Sequence, residues 1–203
     1  FESSTTSIKQ FDFKLFGQLN NIIIPETVIS IDENSFTGLS SLTDITIPDS
    51  VKSIESKSFS GCTSLKEIII PNSVSIINDN SFYGCTSLEK ISLPNTILSI
   101  GNMCFYECSS LKQLTLPESL ESIKDRTFFR CKSLTEIIIP PSVNSIGNFA
   151  FTECTSLVKI SIPPSIKSIP NNAFTNCNNL TEITIDPYLT IFDSDTFKTC
   201  SLK

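Results

Sequence analysis

The chain contains no histidine and no tryptophan, one methionine, six glycines and, in Arg126 and Arg130, only two arginines. Lack of histidine removes the residue that most often serves as general base near neutral pH. It also removes the Ser–His and Cys–His nucleophile pairs and the commonest neutral metal ligand. Cations are scarce as well: 15 Lys and Arg against 21 Asp and Glu give a net charge of −6 and a pI near 4.7. Such a balance argues against nucleic acid, whose phosphates require a basic face, and against an anionic membrane surface. No window reaches the roughly 18 apolar residues of a membrane span, so no membrane insertion is expected. Together these gaps predict a protein that is not an enzyme, with no catalytic residues, no cofactor and no metal.

What the chain does have is a strict period. Phe36, Phe59, Phe82, Phe105, Phe128, Phe151, Phe174 and Phe197 are each separated by 23 residues. Cys62, Cys85, Cys108, Cys131, Cys154, Cys177 and Cys200 keep the same interval, as do the prolines from Pro25 to Pro163. With Leu65 as position 1, the unit reads Leu65, Ile68, Ile70, Pro71, Val74, Ile77, Phe82 and Cys85 at positions 1, 4, 6, 7, 10, 13, 18 and 21. A fixed period of this length identifies a repeat solenoid. One domain spans 1–203: a partial coil 1–18, full repeats 19–41, 42–64, 65–87, 88–110, 111–133, 134–156 and 157–179, and a divergent C-terminal repeat 180–203.

Each stretch of the unit has its own reading. Alternation at positions 3–6 predicts a short parallel strand with 4 and 6 inward, ended by the proline that cannot donate to a ladder. Val74 and Ile77 point inward again on the return side, where a two- or three-residue strand fits. Position 15 (Ser56, Asp79, Asn102, Asp125, Asn148, Asn171, Ser194) holds helix N-cap residues, predicting one helical turn that carries the Phe inward. Gly38, Gly61, Gly84 and Asn176 at position 20 suit a left-handed residue closing that turn. Coils stacked at about 4.8 Å would make a rod about 40 Å long. A lone coil cannot offset the entropy of ordering itself, so neighbours must share the core.

This pattern resembles the BspA-like (Treponema pallidum-type) leucine-rich repeats, whose unit runs Leu-x-x-Ile-x-Ile-Pro-x-x-Val-x-x-Ile, then Ala-Phe-x-x-Cys. Residues 134–157 match it almost letter for letter, and the resemblance covers nearly the whole chain. The family's glycine after the inward Ile stands at Gly101 and Gly147, and its alanine before Phe at Ala150 and Ala173. The resemblance implies a right-handed leucine-rich-repeat coil, with a surface or secreted location and adhesion to host matrix or surface proteins. A cytoplasmic location stays open. The sequon Asn179-Leu180-Thr181 permits glycosylation without placing the chain in any compartment.

Several columns could mislead. The Cys column lacks C-x-x-C spacing, and stacking at about 4.8 Å exceeds the Cβ–Cβ distance a disulfide prefers. It is therefore read as a structural ladder of reduced thiols, with Cys104 a small filler at position 17. Ser and Thr at position 9, from Thr27 to Ser165, are expected to bond turn amides between coils. Position 3 alternates in sign (Glu67–Lys90; Glu136–Lys159–Glu182), as adjacent strands should, which weighs against a glycosidase carboxylate pair.

Two faces remain for binding a protein. On the turns, position 19 is Tyr83, Tyr106 and Phe129 in consecutive coils, beside Arg126 and Phe149 at position 16. These are the residue types enriched at interface hot spots, although an ordered stack with Arg130 between Glu107 and Glu153 reads the same residues structurally. On the sheet face, Ile23, Ile69 and Ile138 at position 5 form the alternative. The function expected is a non-catalytic protein-binding scaffold. The alternatives are a structural spacer or self-assembling rod, joined through its terminal coils, or an intracellular adaptor. Phe11, Phe13 and Phe16 mark a modified first coil. Leu189, Ile191 and Phe192 next to an open strand edge predict association or fraying over residues 187–203.

Overall fold

A computed structural model describes residues 5–9, 18–187, 196–197 and 199–202. Phe11, Phe13, Phe16, Leu189, Ile191, Phe192 and Ser194 lie outside them, and with them the terminal-coil contacts expected above.

The 23-residue period becomes one turn of a solenoid with two parallel-stranded sides. On the proline-ended side, three-residue strands occupy positions 3–5: β2 (Asn21–Ile23), β4 (Asp44–Thr46), β6 (Glu67–Ile69), β8 (Lys90–Ser92), β10 (Gln113–Thr115), β11 (Glu136–Ile138), β12 (Lys159–Ser161) and β13 (Glu182–Thr184). They pair in parallel with a register of one repeat, Glu136↔Lys159↔Glu182 for example, in one sheet of β2 and β4 and another from β6 to β13. The return side carries two-residue strands: β1 (Ser7–Ile8), β3 (Ser30–Ile31), β5 (Ser53–Ile54), β7 (Ile76–Ile77) and β9 (Ser99–Ile100). Beyond β9 this side carries an isolated bridge between Ile123 and Ile146.

Positions 1, 4, 6, 10, 13, 18 and 21 fill the interior, as the alternation requires. The phenylalanines of position 18 form one continuous stack from Phe36 to Phe197, with centroids 5.1–5.7 Å apart. Each sulfhydryl of position 21 donates to the carbonyl of the phenylalanine in the coil before it, as Cys85 does to Phe59 at 3.1 Å and Cys177 to Phe151 at 3.0 Å. The eight cysteines are free thiols.

The third side corrects the expected helical turn: there is no helix among the described residues. Amides at positions 16, 18 and 20 point along the rod and donate to carbonyls of the next coil: Lys57 to Asp79, Phe59 to Ser81 and Gly61 to Tyr83. Amides between them turn back within their own coil, Ser60 to Lys57 and Cys62 to Phe59. A helix would direct every amide along its own axis and leave the neighbouring coil unbonded. Left-handed residues at positions 16 and 20 produce the alternation.

Position 20 is left-handed as expected at Gly38, Gly61, Gly84 and Asn176, and also at Glu107, Arg130 and Glu153. Position 16 is left-handed at Asn34, Lys57, Asn80, Met103, Arg126 and Phe149, with φ between 52° and 60°.

Position 15 does not cap a helix either. Its side chains bond across coils: Asp79 Oδ1 accepts from the Asn102 amide at 2.7 Å, Asn102 Oδ1 from Asp125 at 3.2 Å and Asp125 Oδ1 from Asn148 at 2.7 Å. This ladder explains two glycines. A Cβ on Gly101 would lie 2.4 Å from the Asp79 amide nitrogen, and one on Gly147 2.5 Å from that of Asp125. Gly101→Ala should therefore lower the urea midpoint by the equivalent of about 1–3 kcal/mol, as overpacking does. An unchanged midpoint would show that the coils can separate without cost.

Position 9 also differs from expectation. Five of its seven hydroxyls donate to carbonyls of the preceding coil, not to turn amides, as Thr96 does to Val74 at 2.9 Å and Ser165 to Val143 at 2.6 Å, while those of Ser50 and Ser142 have no partner.

Candidate functional site

The solenoid converts columns in sequence into ladders in space, and the turn face shows this most fully. Tyr83 stacks on Tyr106 with centroids 4.7 Å apart and planes 7° from parallel, and Tyr106 on Phe129 at 4.7 Å and 6°. Beside this stack Arg130 bridges two coils. Its Nη1 donates to Glu107 at 2.8 Å and its Nε to Glu153 at 3.0 Å, while the guanidinium lies 5.2 Å from the Phe129 ring centre. These are the stack and the Glu–Arg–Glu column that the structural reading of the face anticipated.

Arg126 and Phe149 form a second unit, with the guanidinium carbon 4.7 Å from the ring centre. Arg126 and Phe129 belong to one turn, joined by the Phe129 amide to the Arg126 carbonyl at 3.2 Å. All five candidate residues thus share one face across consecutive coils, each half-buried.

Electrostatically the face is ordered more than it is charged. Burial, and then the Glu107 carboxylate, push the Tyr83 phenol above its ordinary 10.0. Arg130 is held further up by its hydrogen bonds to Glu107 and Glu153. Arg126 and Phe149, with Met103 in the same column, occupy left-handed backbone at φ 53°, 58° and 52°. Large L-residues in that region each store about 1–3 kcal/mol of strain. The signal for position 16 was present in the column, where Asn34 and Asn80 are the types that tolerate it, but a helical reading of the turn concealed it.

The sheet face places Ile23, Ile69 and Ile138 outward, at 81%, 70% and 76% exposure. It does not bring them together: Ile23 lies on the two-stranded β2–β4 sheet, and Ile69 and Ile138 on the six-stranded one. The position-3 charges sit in the expected register, and Lys159 Nζ reaches Glu182 at 3.4 Å. Sequence reasoning missed exposed Ile29, Ile76 and Leu98 on the return side, although alternation about the inward Val74 and Ile77 already places Ile76 outward.

The cysteine ladder presents no reactive thiol. Burial pushes Cys62 and Cys177 up to about 12 and the half-buried Cys200 up to about 11, and raises the others well above the ordinary 9.0. Among the described residues no group of three or more Cys, Asp or Glu could hold a metal ion, and no helix is long and apolar enough to cross a membrane.

Comparison with known proteins agrees with this architecture. The family model for the BspA-type leucine-rich repeat region matches residues 1–111 and 98–203, in six copies. No curated protein sequence matches the chain. Among solved structures, the T. pallidum leucine-rich repeat protein is 27% identical with a TM-score of 0.58, over 83% of this chain and 70% of that one. A leucine-rich cell surface protein from Faecalibacterium prausnitzii A2-165 is 25% identical with a TM-score of 0.59, over 92% and 64%. A leucine-rich repeat protein from Eubacterium ventriosum, 23% identical with a TM-score of 0.74 over 91% and 59%, shares the fold. The chain thus spans between 59% and 70% of the length of these three structures. With the repeat columns, the parallel-stranded coil and a family model matched along its length, the chain belongs to the BspA-type leucine-rich-repeat family.

Proposed function

We propose that the solenoid is a non-catalytic recognition module that binds a protein partner through its turn face, at the cell surface or outside it. The observation that carries this reading is the half-buried cluster of Tyr83, Tyr106, Phe129, Arg126 and Phe149. Interface energy concentrates in such aromatic and arginine residues. Ordering them before binding removes part of the entropic cost of docking, and the strained backbone at Arg126 and Phe149 fits a surface held for contact. The chemistry of the chain supports a non-catalytic role: it has no histidine, its thiols are held protonated, and Lys159 answers its neighbouring acid across the strands. The surface location rests on the likeness to the F. prausnitzii cell surface protein. Host matrix or surface proteins are the partners to try first.

The test is binding of the purified chain to extracellular-matrix proteins, measured for two double variants. Tyr106→Ser with Phe129→Ser should weaken binding by at least about 2 kcal/mol while circular dichroism is unchanged. Ile69→Ser with Ile138→Ser should leave it intact. The reverse outcome would move the site to the sheet face, and a chain that binds in no assay would be a spacer.

A further inference from the structure

The strand side of the rod is not one sheet. Its ladder runs from β2 to β4, stops, and restarts at β6 to continue to β13. At the other described joints of this side the amide before the strand donates to its counterpart's carbonyl in the coil before, Thr43 to Asn20, Glu89 to Lys66, Lys112 to Glu89, Thr135 to Lys112, Val158 to Thr135 and Thr181 to Val158, but the Lys66 amide makes no such bond to Thr43. The other sides stay closed at this level. β3, β5 and β7 pair in series, Phe36 stacks on Phe59 and Phe59 on Phe82, and the Gly38 and Gly61 amides bond forward to Ser60 and Tyr83.

The charges of position 3 follow the same pattern. Five joints carry three register pairs each, headed by Glu67–Lys90, Glu136–Lys159, Lys159–Glu182, Gln113–Glu136 and Asn21–Asp44. A single pair survives where Lys90 meets neutral Gln113. The one joint with none sets Asp44 against Glu67, two carboxylates in directly opposed positions, which destabilises strand pairing. Lys66, Glu89 and Lys90 border the pair from the outer surface, but none of them forms an ion pair with either carboxylate.

We propose that the β4–β6 joint is a one-sided hinge, left without backbone bonds where Asp44 faces Glu67, about which the first coils bend relative to the rest of the rod. The return strands and the phenylalanine stack act as its uncut side. Bending there changes the distance from Ile23 to Ile69 and Ile138, which sit on opposite sides of the gap, and so reshapes the sheet face without unfolding a coil. Nothing in this depends on which face binds a partner.

Hydrogen exchange of the intact chain tests it residue by residue. The Lys66 amide should exchange at least about tenfold faster than its equivalents Glu89, Val158 and Thr181, because local opening sets the rate where the ladder is missing. Asp44→Asn removes the repulsion, and Asp44→Lys adds an attraction while leaving Asn21 opposite a single charge. Both should slow that amide, Asp44→Lys by about threefold or more. Conversely Glu136→Lys, which sets a lysine against Lys159, should open a gap there and speed exchange at the Lys159 amide. The hinge is refuted if Lys66 is as protected in the wild type as its equivalents. Its electrostatic cause is refuted if neither Asp44 variant slows that amide.

Discussion

Raising the pH from 9 to 12 is expected to unfold the solenoid, well before backbone chemistry intervenes. Burial holds Cys62 and Cys177 protonated up to about 12, against an ordinary 9.0, and raises Cys85, Cys104, Cys131 and Cys154 in the same direction. Folded-state values above the unfolded ones mean that the stabilising contribution is complete below pH 9 and is lost as pH climbs through the folded values. Over that window each such thiol costs about 1.4 kcal/mol per pH unit. Two of them suffice to remove several kcal/mol, the size of a typical domain's whole stability. The measurement is the urea midpoint as a function of pH, with thiol labelling in parallel. In the native state at pH 8, Cys200, the one half-buried thiol of the column, should label first, and the rest should react only on unfolding. A midpoint that is flat from pH 9 to 12 would mean that the thiols ionise in place, and would remove the buried ladder as a source of stability.

That ladder was legible in the sequence because it is periodic. A column such as Phe36 to Phe197 needs no knowledge of local conformation: whatever one coil does, the next repeats one register further along. Strand positions were legible for the same reason, since inward Ile68 and Ile70 alternate with outward Glu67 and Ile69. The turn was not. Ser, Asp and Asn at position 15 are helix caps when their hydrogen bonds close locally, but here Asp79 bonds to Asn102 of the next coil. Local propensity carries no information about a partner 23 residues away. Residues such as Met103 and Phe149 then disguised the left-handed backbone at position 16, because large side chains seldom occupy it.

The candidate site was legible as a cluster and illegible as a geometry. Tyr83, Tyr106 and Phe129 share a column, so their adjacency followed from the period, and so did Arg130 between Glu107 and Glu153. The pairing of Arg126 with the Phe149 ring depends on two left-handed residues that no pattern announced. The sheet-face alternative shows the converse. Asp44 and Glu67 stand in one column in plain view, and their consequence appears only once strand pairs are counted joint by joint. A regular repeat predicts its regular joints; its exceptions need the backbone.

The largest mutational effect should come from the middle of the core. Phe128 is fully buried between Phe105 and Phe151, at 5.6 and 5.3 Å. Phe128→Ala removes both contacts and leaves a cavity, at a cost of about 3–5 kcal/mol. Because each coil is stabilised mainly by its neighbours, the loss is divided between two interfaces at the centre of the rod. Urea unfolding should then separate into two phases instead of one. Tyr106→Ala provides the comparison, since it also removes a ring stacked on both faces, at 4.7 Å each. That ring is half in solvent, so no closed cavity results, and the expected loss is the stacking itself, about 0.5–1.5 kcal/mol for each contact. The gap between the two variants decides more than stability. If Tyr106→Ala costs as much as Phe128→Ala, the turn-face aromatics are a second core strip holding the coils together. Their choice as the binding surface would then lose its basis. If the cost is small, the stack is dispensable for folding, and a partner is the remaining physical reason to hold two tyrosines and a phenylalanine in register on the outside of the rod.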